Sequence, residues 1–126
     1  MNVKPDNKYR ERPQPAPLMS GALKPLTIRE LYTRTALALK NPNTWCKIHL
    51  SEFADGLPCY DELDNNAVKW CAEGHLRRTA QNDRNIIRQA LTLYFIKYNN
   101  SISYDNDYSE NGRELIIERL LSLAND

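Results

Sequence analysis

The chain contains two histidines and three cysteines, and two pairs of these residues have spacings that occur in zinc sites. His49 follows Cys46 by three positions, and His75 follows Cys71 by one helical turn. Thiolate and imidazole are the usual ligands of tetrahedral zinc, so the four residues are a candidate Cys2His2 set. However, the chain has no Cys-x-x-Cys pair, and cysteine is among the residues most often buried without a metal. We therefore expect reduced thiols, no metal and no cofactor.

A cysteine nucleophile is the second chemistry that these residues suggest. Cys71 or Cys46 could act as the nucleophile, and His75 or His49 could act as its base. Asn106 or Asp107 would then orient the histidine. Such triads are recognised by geometry, and no glycine-rich loop for an oxyanion hole accompanies these residues. The carboxylates of Asp105, Asp107 and Glu110 resemble the start of a calcium loop, but the turn glycine and the final glutamate are missing. We therefore expect a non-enzymatic protein.

Basic side chains suggest a third function, the binding of nucleic acid. Residues 65–100 hold six lysines and arginines against two acidic residues. Five of them could share one surface: Lys69, Arg77, Arg78, Arg84 and Arg88. Phosphate contacts supply most of the non-specific affinity for nucleic acids, so these side chains would have to converge. The net charge of the 126-residue chain is only +1, and residues 49–64 and 101–126 are acidic. We expect another protein as the main partner and keep nucleic acid as the alternative.

Residues 1–25 form a separate N-terminal segment that contains five of the seven prolines. Proline removes a backbone donor and disfavours helix at the preceding residue, which predicts an extended arm near polyproline II. We expect this arm to help anchor the protein on its partner. The residues expected to do so are Lys8, Arg10, Arg12, Pro13, Pro15 and Pro17.

Residues 26–126 are expected to form one mainly helical, all-α domain of about four helices. A capping box of Thr27 and Glu30 opens a first helix at 27–40, which a following proline ends. An apolar stripe predicts a second helix from residue 64 or 65 to residue 80, and Gly74 within it suggests a tight helix crossing.

The rest of the domain is predicted from the same periodicity. A third helix begins at residue 82 or 83 and ends before 99, and apolar residues on nearly all its sides predict that it is the central helix. Leu91 and Tyr94 lie on its densest apolar stripe. A connection leads to a last helix capped by Ser109 or Asn111, and one short β-hairpin could form within 45–60.

The run 70–76, Trp-Cys-Ala-Glu-Gly-His-Leu, and the later Asn106-Asp107 before the last helix resemble a small family of unknown function from bacteria and their phages. Trp45-Cys46 and the turn at 55–58 are also similar to segments of that family, so the resemblance spans about 27–124. His75 departs from it, because a small residue is expected there. The resemblance implies a compact helical domain of phage or bacterial origin and no particular activity.

The cellular compartment of the protein can be predicted from the absence of targeting and membrane-spanning segments in the sequence. No window approaches the roughly 20 apolar residues of a membrane span, and the first residues carry charges where a signal peptide has an apolar core. An odd number of cysteines argues against a disulfide framework. We expect a cytoplasmic protein, or a component of a phage particle, without a membrane partner.

Overall fold

The computed structural model describes residues 26–126, and the predicted arm lies outside that range. A 3-10 helix at Pro42–Thr44 accompanies the main elements. These are α1 (Ile28–Leu39), β1 (Ser51–Phe53), β2 (Pro58–Cys59), β3 (Ala67–Trp70), α2 (Ala72–Ala80), α3 (Arg84–Tyr98), α4 (Ile102–Tyr108) and α5 (Gly112–Ala124). The described part of the chain is thus mainly helical, as predicted, but it also contains a sheet. None of its helices is long and apolar enough to cross a membrane.

Helix α1 begins and ends within one residue of its prediction because local signals fix both ends. Thr27 Oγ1 accepts a hydrogen bond from the backbone N of Glu30 at 3.0 Å, and Glu30 Oε1 accepts one from the backbone N of Thr27 at 2.9 Å. This is the capping box that the sequence predicted. At the other end, the chain leaves the helix just before Pro42.

The core is built around α1 and not around α3. Helix α1 packs against α5, α2 and α3, and its inward residues Leu31 and Leu39 are completely buried. The hydroxyl of buried Tyr32 donates a hydrogen bond to the carbonyl oxygen of Ala90 on α3 at 2.6 Å. Helix α3 has the predicted position but only one buried side. The prediction that it is the central helix is therefore wrong, and Leu91 is only partly buried.

The sheet has three antiparallel strands in the order β2-β1-β3. Strands β1 and β2 form the hairpin that the sequence suggested within 45–60. Its turn contains Gly56 at φ 87°, a left-handed conformation that glycine adopts without strain. Asp55 Oδ1 accepts a hydrogen bond from the backbone N of Leu57 at 3.0 Å and fixes the turn.

Strand β3 occupies residues that the sequence assigned to the first half of the second helix. That prediction is wrong for this half, because the backbone of 67–70 pairs with β1. Helix α2 begins only after Cys71, whose Sγ accepts a hydrogen bond from the backbone N of Gly74 at 3.3 Å. A Cβ on Gly74 would lie 2.2 Å from the carbonyl oxygen of Leu50. The close approach predicted at Gly74 therefore exists, but its neighbour is the main chain before β1 and not a helix.

Helix α4 lies within the predicted connection between the third and last helices. Its N-cap is Ser101, whose Oγ accepts a hydrogen bond from the backbone N of Tyr104 at 3.0 Å. Asn111 precedes α5, but its side chain makes no capping hydrogen bond. The next residue, Gly112, has no space for a side chain, because a Cβ there would lie 2.3 Å from the carbonyl oxygen of Asp105. The domain thus has one helix more than the sequence predicted.

Candidate interaction surface and the buried polar clusters

Asn106 lies at the centre of a buried hydrogen-bond cluster, which we call the Asn106 hub. Its Oδ1 accepts hydrogen bonds from Nε1 of Trp45 at 2.7 Å and from the backbone N of Ala72 at 2.9 Å. Its Nδ2 donates to the carbonyl oxygen of Cys46 at 3.1 Å and to Oδ1 of Asp107 at 2.8 Å. The amide of this completely buried residue is fully used. It joins the segment at 45–46, the start of α2 and α4, which is a structural role.

Some of the residues that carry the family resemblance lie at or beside this hub. The backbone N of Cys46 donates to the carbonyl oxygen of Trp70 at 3.2 Å, which ties one Trp-Cys pair to the other. Asp107 Oδ1 also accepts a hydrogen bond from the backbone N of Ile48 at 2.8 Å. Ile48 has φ 76°, an unusual conformation for a β-branched residue. The hydrogen bond to Asp107 therefore holds the backbone at Ile48 in a conformation that an isoleucine residue by itself disfavours.

Three of the four residues considered as zinc ligands, Cys46, Cys71 and His75, use their side chains in hydrogen bonds within the fold. His75 Nε2 lies 2.8 Å from the carbonyl oxygen of Thr44, and Cys46 Sγ lies 3.4 Å from the carbonyl oxygen of His49. Cys71 Sγ accepts the N-cap hydrogen bond of α2. Among residues 26–126, no group of three or more His, Cys, Asp and Glu side chains is placed to hold a metal ion.

Burial also opposes nucleophilic chemistry at the two cysteines. Desolvation raises the pKa of Cys46 to about 12, with a further contribution from the Glu52 carboxylate, and raises the pKa of Cys71 to about 11. Desolvation lowers the pKa of His75. Reactive cysteines need an accessible site that favours the thiolate, so these environments favour the inert thiol.

Asp105 is a second buried polar centre, between α3, α4 and α5. Its carboxylate accepts hydrogen bonds from the hydroxyl of Tyr94 and from Nη1 of Arg119, the latter at 2.7 Å. Asn100 Nδ2 and Ser109 Oγ donate to its other oxygen at 3.3 and 3.2 Å. Four donors therefore compensate the burial of this carboxylate. Both oxygens serve the fold, which is not the calcium-loop arrangement considered above.

Three of the arginines singled out in the sequence line one groove between α2 and α3. We call it the arginine groove; its volume is about 290 Å³. Arg77 comes from α2, and Arg84 and Arg88 come from successive turns of α3. Ile87 and Leu91 complete the lining. The groove therefore combines guanidinium groups with an aliphatic floor.

The three arginines differ in their ion pairing. Arg77 Nε lies 2.7 Å from Glu73 Oε2 in an i,i+4 pair, and the other carboxylate oxygen of Glu73 accepts a hydrogen bond from Ser103 Oγ at 2.7 Å. Within residues 26–126, Arg84 and Arg88 form no ion pair. Two guanidinium groups of the groove are thus available to a ligand.

Arg78 and Lys69 lie outside the arginine groove. The guanidinium carbon of Arg78 is 4.2 Å from the centroid of the Trp70 ring, in a cation–π contact. Arg78 lines a separate cavity of about 500 Å³ with Arg34 and Asp64, and Lys69 is exposed on β3. The sequence did not single out Arg34, because it is more than 40 positions from Arg78 and nothing local links them. The five basic residues therefore do not line one groove.

The outer side of α3 exposes large apolar side chains. The exposed fractions are 51 % for Phe95, 70 % for Ile96 and 37 % for Leu93. Phe95 follows Leu91 by four positions, so it continues the apolar lining of the arginine groove along the same face of the helix. We define Leu91, Phe95 and Ile96 as the apolar ridge of α3.

The predicted arm residues lie outside the described part of the chain: Lys8, Arg10, Arg12, Pro13, Pro15 and Pro17. Comparison of the chain with protein-family models, with curated proteins and with solved structures finds no match. Function therefore has to be inferred from the surface and chemistry of the domain itself.

Proposed function

We propose that this protein is a non-enzymatic interaction module that docks on a partner protein. The observation that carries the proposal is the apolar ridge of α3, where Phe95 and Ile96 leave about half or more of their surface exposed. Adjacent exposed apolar side chains on one helix are typical of surfaces that bind another protein. The partner would cover the ridge and remove this apolar area from water.

The buried polar groups support a non-enzymatic role. Asn106 and Asp105 use their side chains to join elements of the fold. The high pKa values of Cys46 and Cys71 disfavour the thiolate that a cysteine hydrolase would need. Each polar cluster inside the domain thus has a structural function that accounts for it.

The biological setting that we propose comes from the sequence. The resemblance to a phage and bacterial family supports an accessory or structural protein of a phage, acting in the host cytoplasm or in the virion. The basic, proline-rich arm at 1–25 would assist docking, because a segment stiffened by proline loses less conformational entropy on binding than a flexible one.

The second candidate function is nucleic-acid binding, and the arginine groove is the observation that favours it. Arg77, Arg84 and Arg88 converge there, as phosphate binding requires. Against it, Arg78 and Lys69 lie elsewhere, so the basic surface is smaller than the sequence suggested. We therefore rank a protein partner first.

A pull-down from an extract of bacterial host cells, with and without nuclease, tests the proposal. The bait proteins are the full chain, the variant Phe95→Ser/Ile96→Ser, and the control Leu37→Ser, which changes a side chain on α1 that is 56 % exposed. We expect a protein that resists nuclease and binds the full chain and the control but not the ridge variant. Capture that depends on nucleic acid, or that is equal for all three baits, would contradict the proposal.

A further inference from the structure

We infer that the arginine groove binds an acidic segment of the partner protein, one that carries an aliphatic side chain between carboxylates. This inference rests on the proposed function and adds the chemistry of the ligand. Two features of the groove carry it: guanidinium groups that lack an internal partner, and an aliphatic floor that adjoins the apolar ridge.

Charge complementarity identifies the ligand as an anion. Arg84 and Arg88 form no ion pair within the described residues, and both are exposed. Guanidinium groups bind carboxylates through two parallel N–H donors, which gives both affinity and orientation. The two side chains are one helical turn apart, so each can bind its own carboxylate of one extended or helical segment.

Arg77 has a different part in the groove. Its Nε donates to Glu73, which Ser103 holds in turn from α4. Those contacts restrict the Arg77 side chain before a ligand arrives, which lowers the conformational entropy lost on binding. Because Nε is used internally, the terminal nitrogens of Arg77 are the donors that a ligand would meet.

The floor of the groove requires an apolar group in the ligand. Ile87 is 4 % exposed and belongs to the core, and Leu91 packs against that core from its edge. An aliphatic side chain seated here would contact both residues and continue onto Phe95, one turn further along α3. A purely acidic ligand would leave this area unfilled, so a ligand that combines carboxylates with an aliphatic side chain fits the groove better.

The same features disfavour nucleic acid as the ligand. The residues that line the groove include no aromatic ring, and Phe95 beside it is a single exposed ring, fewer than the successive rings on which single-stranded nucleic acids stack. The net charge of the whole chain is +1, which gives little long-range attraction for a polyanion. A short acidic peptide needs neither property, because its contacts are confined to the groove.

Fluorescence anisotropy with labelled probes tests the inference on the full chain. The main probe is a synthetic peptide that repeats Glu-Glu-Leu, and the comparison probes repeat Gln-Gln-Leu or Glu-Glu-Ser. A single-stranded oligothymidylate of the same charge reports binding to nucleic acid. The variants are Arg84→Glu/Arg88→Glu in the groove and the control Arg29→Glu, which changes an exposed arginine on α1. Thermal unfolding verifies that each variant is folded.

The Glu-Glu-Leu peptide should bind at least about tenfold more tightly than either comparison peptide, because each of these lacks one of the two required groups. The groove variant should lose about 10- to 100-fold in affinity, and the control should lose nothing. Equal affinity of the groove variant and the full chain for this peptide would overturn the inference.

Two outcomes separate this inference from the proposed function. The pull-down also uses Arg84→Glu/Arg88→Glu as a bait; if the captured partner depends on Phe95 and Ile96 but not on Arg84 and Arg88, the groove inference is wrong and the docking function stands. If oligothymidylate binds through Arg84 and Arg88, with a steep loss between about 50 and 200 mM salt, and the acidic peptide does not, both are wrong and the protein binds nucleic acid.

Discussion

Replacing Asn106 by alanine should destabilise the domain more than any loss of packing volume explains. The side chain is completely buried and has four hydrogen-bond partners. Alanine removes the amide but leaves those partners in place. The loss in free energy of unfolding therefore depends on which of these partners can form a hydrogen bond with water instead.

Two of the four partners stay buried after the substitution. Ala72 is 0 % exposed, so its backbone N–H has no access to water, and Cys46, whose carbonyl oxygen loses its donor, is 7 % exposed. An unsatisfied buried donor or acceptor costs about 1–3 kcal/mol, which gives about 2–6 kcal/mol for the pair. Trp45 and Asp107 are partly exposed and can be solvated, so they add less. A domain of this size has a stability of about 5–15 kcal/mol, so Asn106→Ala should remove a substantial part of it.

Urea denaturation followed by tryptophan fluorescence measures this effect, and the emission of Trp45 should also change because its indole loses a partner. Asn85→Ala, at an exposed position on α3, is the matched control and should change the free energy of unfolding by less than about 0.5 kcal/mol. Asn106→Asp keeps Oδ1 but turns a second oxygen toward the Cys46 carbonyl and the Asp107 carboxylate, so it should destabilise as well. A loss below about 1 kcal/mol for Asn106→Ala would refute the structural role of the hub.

Further predictions concern the glycine contact, pH, the thiols and the arm. Gly74→Ala, which raises helix propensity by about 1 kcal/mol, should nevertheless lower the melting temperature, because the new Cβ would lie 2.2 Å from the Leu50 carbonyl oxygen; an increase would contradict the contact. Burial lowers the pKa of His75 from 6.5, so only the unfolded chain gains its proton just below that pH. Stability in urea should therefore fall as pH decreases below about 6.5, by up to about 1.4 kcal/mol per pH unit, and His75→Gln should lose this slope. All three cysteines are buried, so a thiol reagent should label them slowly in the native protein and completely in denaturant, and elemental analysis of protein purified without a metal-affinity tag should find no stoichiometric zinc. Deleting residues 1–25 should leave the melting temperature unchanged and weaken partner binding; equal affinity of both proteins would exclude the arm as a binding element.

Local signals at the helix ends helped to predict α1 and α3. The capping box of Thr27 and Glu30 places α1, and the N-cap Asp83, whose side chain accepts from the backbone N of Ile86, places α3. These interactions join residues three positions apart, so they can be identified without knowing the fold. The position of both helices followed from such contacts together with the apolar periodicity of the sequence.

Strand β3 could not be predicted in this way. Ala67 and Trp70 are buried while Val68 and Lys69 are exposed, and a spacing of three between apolar residues also fits a helix. The choice between strand and helix depends on pairing with β1, about 16 positions earlier in the chain. Helix α4 was missed for a related reason, because Asn106-Asp107 resembles a turn signal until its distant partners are known.

The exposed side of α3 shows that hydrophobicity alone does not determine which sides of a helix are buried. The sequence indicated a helix apolar on nearly all sides and therefore central, yet Phe95 and Ile96 are exposed. Apolar residues are favoured inside a protein but are not confined there, so composition could not reveal which of them the fold leaves on the surface. The ridge became a candidate binding surface only when the packing of α1 was known.

Several of the residues on which the family resemblance rests have structural roles, which limits what they say about function. Trp45-Cys46, Trp70-Cys71 and Asn106-Asp107 meet in or beside the Asn106 hub, where their side chains or backbone atoms satisfy one another. Substitution of Asn106 would leave buried polar groups without partners, so this residue is constrained by stability whatever the protein binds. The arginine groove and the apolar ridge carry no such internal constraint, because their side chains are exposed or lie at the edge of the core. A surface of that kind can change with the partner while the hub stays the same. Substitutions of Arg84, Arg88, Phe95 and Ile96 should therefore change binding, whereas substitutions in the hub should change stability.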